Sequence, residues 1–289
     1  MRAERASEGI LLLLAATACF VSLDTTAKSI SSQVSLLMAI WVRYVFQVFV
    51  TGAVLLPHRG RGLLRTRHLR LQLLRGFMLL VCSSLAFLSL RYMPIGEFTA
   101  IVMLTPLLIT AVAAFSMGEN VPPLRWILVA GGFVGAMMVI RPHGDNFDWT
   151  LLLPLALVGA STVFQLLTSR LAMADDAGTM HFYTGLVGLA LTTLALPLGW
   201  QTPQGSTVWL KLLLLGVFSS LGHYLLILAY GRARPATLTP YLYSQIAFAT
   251  LSGWLVFDHA PDAWSVAGIC VIAACGVLGT WLHADASRT

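Results

Sequence analysis

The chain alternates between long apolar runs and short breaks rich in proline, glycine or charge. The runs cover 10–28, 35–56, 71–92, 95–117 and 123–141, then 150–171, 178–199, 211–232, 235–257 and 262–282. Each is near the roughly 20 residues that carry an α-helix through the hydrocarbon of a bilayer. Breaks such as Pro57-His58-Arg59-Gly60-Arg61, Thr202-Pro203-Gln204-Gly205 and Asp258-His259-Ala260-Pro261 separate them. The pattern predicts an all-α integral membrane protein with ten transmembrane helices.

Adding 140 to the first five runs lands within a few residues of the last five. Residue identity at that shift is sparse, Thr110 with Thr250 and Leu88 with Leu228 being among the few matches, so the repeat rests on spacing and hydropathy. The boundary falls between 1–145 and 146–289. Five is odd, so the second half enters the membrane from the opposite side, giving two inverted five-helix repeats. Two halves so related can rock about a site at the midplane, one physical route to alternating access.

Composition narrows the class. Of 289 residues 57% are hydrophobic and only 10% charged, against roughly a quarter in soluble domains. Little chain remains for an extramembrane domain. The net charge of +6 does not point to nucleic acid, because the basic residues lie scattered in short connections and read as topology signals. With the N-terminus in the cytoplasm, only Lys28, Arg43, Arg91, Arg141 and Lys211 of the 18 basic residues fall to the outer half. The bias predicts an inner-membrane protein with both termini cytoplasmic. Cys19, Cys82, Cys270 and Cys275 all lie in apolar runs and read as small hydrophobes. A signal peptide ending near Ala16-Thr17-Ala18-Cys19 is the competing reading of the start, but the run continues past the cysteine and the repeat needs it.

Several short motifs, in this order and spacing, resemble the EamA family of the drug/metabolite transporter superfamily. They are Leu90-Arg91-Tyr92-Met93-Pro94, Leu104-Thr105-Pro106-Leu107 and Gly118-Glu119, followed by Ala229-Tyr230-Gly231-Arg232-Ala233 and Ser252-Gly253-Trp254-Leu255-Val256-Phe257. The resemblance implies two EamA-type repeats in which helices 1–4 and 6–9 surround a central cavity and helices 5 and 10 stand aside. It also implies export of small metabolites, amino acids (aromatic ones included) among them. Asp24-x-x-x-Lys28 with Arg43 is similar to the branch containing S-adenosylmethionine importers, so uptake is the alternative. The second half departs from the family pattern: Ile246 stands at the shift from Pro106, with Pro240 earlier, and His259 at the shift from Glu119.

An ionised side chain near a helix centre costs about 2.5–3.5 kcal/mol even on the lenient insertion scale, so each needs a partner, a cavity or a route to the surface. Asp24 and Lys28 share a face of helix 1 one turn apart, and Arg43 lies in helix 2 at similar depth in the outer half. This charge cluster either meets a carboxylate of the cargo or locks helices and closes a gate. Glu97, in the first turn of helix 4, suits a structural place at a helix N-terminus, and Arg141 and Arg170 can snorkel. Polar and aromatic residues near span centres are the cavity candidates: Ser83 and Phe87, Met103, Phe164 and Gln165, His223 and Tyr224, and Tyr241, Tyr243 and Gln245. Such a lining suits a small zwitterion.

Gly131-x-x-x-Gly135 and Gly268, Gly276 and Gly279 predict close helix packing within the bundle, and a monomer is expected. No His-Glu-x-x-His, Gly-x-Ser-x-Gly or Gly-x-x-x-x-Gly-Lys-[Ser/Thr] segment occurs, which speaks against a metal site, a catalytic nucleophile and an ATP-driven pump. A channel would want a filter loop or symmetry about a pore. The sequence therefore predicts a carrier in the lipid bilayer for a small-molecule substrate, without cofactor or metal.

Overall fold

The computed structural model describes residues 2–93, 95–116, 122–140, 149–258 and 262–285. Among them it forms twelve α-helices and no strand: α1 Arg2–Ile30, α2 Leu36–Arg59, α3 Leu69–Tyr92, α4 Ile95–Val102, α5 Thr105–Ser116, α6 Pro123–Ile140, α7 Leu152–Ala172, α8 Ala177–Ala195, α9 Ser206–Tyr230, α10 Pro235–Leu242, α11 Ser244–Phe257 and α12 Ala263–Asp285. Helices dominate because lipid offers the backbone no hydrogen bonds, so each segment must satisfy its own. Six helices among the described residues are long and apolar enough to cross a membrane, and shorter apolar helices accompany them.

Two apolar runs that the hydropathy pattern leaves continuous are broken. Pro106 has no N–H, so the carbonyl of Val102 loses its partner one turn on, and the chain slips between α4 and α5. Met103 N–H still reaches Thr99 O at 3.0 Å, while Leu104 N–H falls back to Ile101 O at 3.0 Å. Three residues after Pro240 a second break at Tyr243 separates α10 from α11, with Ile246 N–H bonded to Tyr243 O at 3.0 Å.

Helix ends use local chemistry. Ser35 accepts Met38 N–H at the start of α2 and donates to Gly199 O at 2.5 Å. Asp176 accepts Gly178 and Thr179 N–H at the start of α8. Asp258 ends α11 in the left-handed region at φ 55°.

In the bundle α1 packs on α9, α3 on α7, α2 on α8, and α6 on α12. Small residues let these pairs approach. A Cβ on Gly135 would stand 2.8 Å from Gly268 O, and one on Gly188 would stand 2.4 Å from the ring of Tyr44. In the α6/α12 pair Gly131 meets Cys275 and Gly135 meets Gly268, so these three glycines pack inside the chain. Pro94, Gly118, Glu119, Arg141, His259 and the side chain of Glu97 lie outside the described residues.

Asp175, between α7 and α8, ties the two ends of the chain's halves. It accepts Thr66 Oγ1 at 2.5 Å and Gln72 Nε2 at 2.8 Å, and His68 Nδ1 lies 3.8 Å away. Burial pushes its carboxyl up, but the hydrogen bonds from Thr66 and Gln72, with His68 and the Arg67 N–H, outweigh that and hold it below its ordinary value. A carboxylate with a depressed folded pKa stabilises the fold above the ordinary value near 4 and loses that contribution as pH falls through the folded value. Acidification from pH 6 to pH 3 should therefore lower the melting temperature of the detergent-solubilised wild type more than that of Asp175→Asn; equal slopes in a thermal-shift series would refute this.

Candidate functional site

A central cavity of about 160 Å³ lies among the helices, smaller than the roughly 300–1,000 Å³ of typical small-molecule sites. Phe20, Leu23 and Asp24 of α1, Arg43 of α2, and Leu79, Cys82, Ser83 and Ala86 of α3 line one part. Phe98 and Val102 of α4, Met103 in the break, and Thr105 and Pro106 of α5 follow. Leu157, Ser161, Phe164 and Gln165 of α7, His223 and Leu226 of α9, Leu242 of α10 and Gln245 of α11 complete it. The helix breaks thus open onto the cavity, where irregular backbone is covered by protein rather than lipid.

A smaller chamber of about 40 Å³ adjoins it, lined further by Ala27, Ala39, Ile40, Phe87, Leu90 and Leu215. Leu23, Asp24, Arg43, Ser83 and Ala86 belong to both chambers and form the neck between them. Arg43 is only 5% exposed; it donates from Nη2 to Ser83, whose hydroxyl donates to Leu79 O at 2.6 Å. Its guanidinium lies 4.9 Å from the centroid of the Tyr44 ring, and its Nε has no acceptor. Among the described residues no ion pair within 4.0 Å joins Asp24 to Arg43 or to Lys28. The neck therefore presents a carboxyl group and a guanidinium.

Lys28 is occupied elsewhere. Its Nζ donates to Leu90 O at 2.7 Å and Met93 O at 3.0 Å, capping the C-terminal carbonyls of α3 where a cation is favoured. Apart from Thr105, the other polar lining groups come from the second half of the sequence. Gln165 Oε1 accepts Tyr230 OH at 2.9 Å, leaving its amide nitrogen for the cavity. His223 Nδ1 donates to Ser219 O at 2.7 Å, and its ring meets Phe20 edge-on at 4.9 Å and Phe164 at 5.9 Å. Ser161 and Thr105 hydroxyls lie 3.2 Å apart across α7 and α5.

Of the candidates named from sequence, Ser83, Met103, Phe164, Gln165, His223 and Gln245 are brought together on the central cavity with Asp24 and Arg43, and Phe87 lines the adjoining chamber. Tyr224 lies instead in a groove between α2, α8 and α9, its ring 5.6 Å from His181. Tyr241 lines a groove between α1, α10, α11 and α12, and Tyr243 packs against Gly132 of α6. Phe20, Phe98 and Ser161 were not singled out. Phe20 lies one helical turn before Asp24, and Ser161 one turn before Gln165, so face-sharing with a stronger candidate was the available signal.

An all-helical, lipid-compatible bundle that closes a mixed polar and aromatic cavity around broken helices defines a membrane carrier of small molecules. The family model described as "EamA-like transporter family" matches residues 7–141. A riboflavin transporter of Vibrio cholerae is 31% identical over 92% of this chain and 91% of its own length, and one of Rhizobium johnstonii is 30% identical over 93% and 89%. An S-adenosylmethionine uptake transporter of Rickettsia felis is 24% identical over 78% of each chain. One solved crystal structure superposes with a TM-score of 0.77 at 18% identity, covering 96% of this chain and 98% of its own, which shows a shared fold. The chain belongs to the EamA-like transporter family, within the drug/metabolite transporters, and is a multi-pass inner-membrane transporter rather than an enzyme.

If the neck handles cargo, Asp24→Asn and Arg43→Lys should each cut the transport rate at least tenfold at matched expression, because one loses the charge and the other the forked donor geometry. Wild-type rates for both, measured in the same vesicles, would assign the pair to packing alone.

Proposed function

We propose that the chain is a secondary carrier for riboflavin or a closely similar planar heteroaromatic metabolite, moved by alternating access. The observation that carries the reading is the cavity lining: aromatic rings of Phe20, Phe98, Phe164 and His223 together with the amides of Gln165 and Gln245, groups suited to a flat, carbonyl-bearing ring. Two relatives near 30% identity across almost the whole chain are named riboflavin transporters, which supports the same cargo class.

The halves 1–145 and 146–289 are read as two inverted five-helix repeats whose helices interleave, α1 packing on α9, α3 on α7 and α2 on α8. Shifting α4, residues 95–102, by 140 gives 235–242, the bounds of α10; shifting 105–116 gives 245–256, against α11 at 244–257. Exchange of the halves also turns the α1/α9 contact into the α7/α3 contact, and α2/α8 and α6/α12 into themselves. Such self-mapping is what a pseudo-twofold axis in the membrane plane requires. Both termini are assigned to the cytoplasm. Once the buried Arg75, Lys28 and Arg43 are set aside, the remaining basic residues still favour that face.

Export of amino acids is the second reading, favoured by one observation: Asp24 and Arg43 offer complementary charges to an ammonium and a carboxylate at a single neck. S-adenosylmethionine uptake would use the same pair together with the ring faces, and a relative carries that name. Counterflow of labelled riboflavin, phenylalanine and S-adenosylmethionine in proteoliposomes without ATP separates the three. Saturable riboflavin exchange is expected, with Gln245→Leu raising its KM about tenfold; exchange of phenylalanine or S-adenosylmethionine without riboflavin would overturn the first reading.

A further inference from the structure

Arg75, in the second turn of α3, heads the large side chains that the fold hides completely. Its Nε donates to Thr168 Oγ1 at 2.8 Å, and its Nη1 to Met180 O at 3.1 Å and to Thr184 Oγ1. Its Nη2 has no acceptor, and among the described residues no carboxylate lies within 4.0 Å. The acid at that end of the bundle, Asp175, is held by Thr66 and Gln72 instead. A guanidinium kept only to join helices would be matched by a carboxylate or have its donors filled. This one meets neutral acceptors and keeps a donor in reserve.

One ring separates it from the cavity. The guanidinium carbon lies 4.9 Å from the centroid of Phe164, and Phe164 itself lines the cavity against His223. Ser83, which holds Arg43 at the neck, is eight residues further along α3, about 12 Å at the helical rise. The two guanidiniums therefore mark two depths along one helix. Arg75 stands on α3, whereas Thr168 stands on α7 and Met180 and Thr184 on α8, so any motion that separates α3 from α7 and α8 breaks its bonds.

We propose that Arg75 is a second cargo station: when Phe164 swings aside and the halves move, its forked donors exchange Thr168, Thr184 and the Met180 carbonyl for a carbonyl or carboxylate edge of the transported molecule, on the way to the membrane face that carries residues 60–68. The proposal rests on the alternating-access reading above. A planar fork suits paired oxygen acceptors, and the Phe164 ring that lies over the guanidinium stands between it and the cavity.

The test uses the full chain in oriented proteoliposomes, with Cys82 as sole thiol after Cys19, Cys270 and Cys275 are replaced by alanine. Cys82 lines the cavity, so its labelling by a membrane-impermeant maleimide reports access from either face without any cargo. Phe164→Ala and Arg75→Gln should each raise labelling from the 60–68 face at least fivefold. Arg75→Gln should also raise the riboflavin KM tenfold or more from that face and less than twofold from the other, with Arg75→Lys recovering only part. Unchanged labelling in both variants, or KM shifts equal on the two faces, would overturn the station. If the labelling behaves as stated but riboflavin does not exchange in the wild type, the gate stands and the cargo assignment fails, and the sided KM is then read with whichever solute exchanges.

Discussion

Every backbone polar group that enters lipid must find its partner inside the protein, and the two helix breaks obey that constraint while creating the site. At 103–104 and at Tyr243 the regular ladder fails, and both places are enclosed: Met103 and Tyr243 are 2% and 0% exposed. Residues beside both breaks, Met103 and Thr105 at one and Leu242 and Gln245 at the other, line the cavity, so the irregular backbone is covered by protein. Pro106 localises the first failure, since it removes the donor that would reach Val102 O. Cavity and breaks are thus one feature, and the helices around them are the covering that lets it exist.

The same constraint sorts the few interior charges. Lys28 is neutralised in effect by two carbonyls at the end of α3, Arg75 by two hydroxyls and a carbonyl between α7 and α8, and Arg43 in part by Ser83 and the face of Tyr44. Asp24 has none of these arrangements and opens on the cavity. Four ionisable side chains in one apolar bundle therefore have three fates: capping for Lys28, burial among neutral acceptors for Arg75, and a place on the wall of an internal space for Asp24 and Arg43. Only the last is available to a solute in the present conformation.

These fates also explain how far the sequence could be read. The apolar runs fell on helices because hydropathy reports lipid compatibility directly, and Pro106 marked a break that length alone hides. Arg75 was counted among surface topology signals, since an arginine near the start of an apolar run looks the same whether it snorkels or turns inward; Thr168 and Thr184, about 100 positions away in sequence, decide it. His223 and Tyr224 differ by one residue and so point about 100° apart on α9, and sequence offered no way to choose which faces the cavity. Tyr241 and Gln245 would share a face of an unbroken helix, but the break at Tyr243 sends them to different spaces. Phe20 and Ser161 were recoverable only after Asp24 and Gln165 were accepted as lining.

The cavity is chemically lopsided inside a frame that the helix bounds make nearly regular. The charges at the neck, Asp24 and Arg43, come from the first half of the chain, while Gln165, His223 and Gln245 come from the second. A cargo that bridges the space is then held by ionic or strongly polar contacts on one side and by amide and ring contacts on the other. Contacts of that kind are lost together if the halves separate on the wrong schedule, so binding energy couples to the relative position of the halves in a way that a cavity built from one half could not achieve. Differential contact with two arrangements is the physical requirement for a solute to shift an equilibrium between them. A lining divided between the halves supplies it without any external energy source in the chain itself.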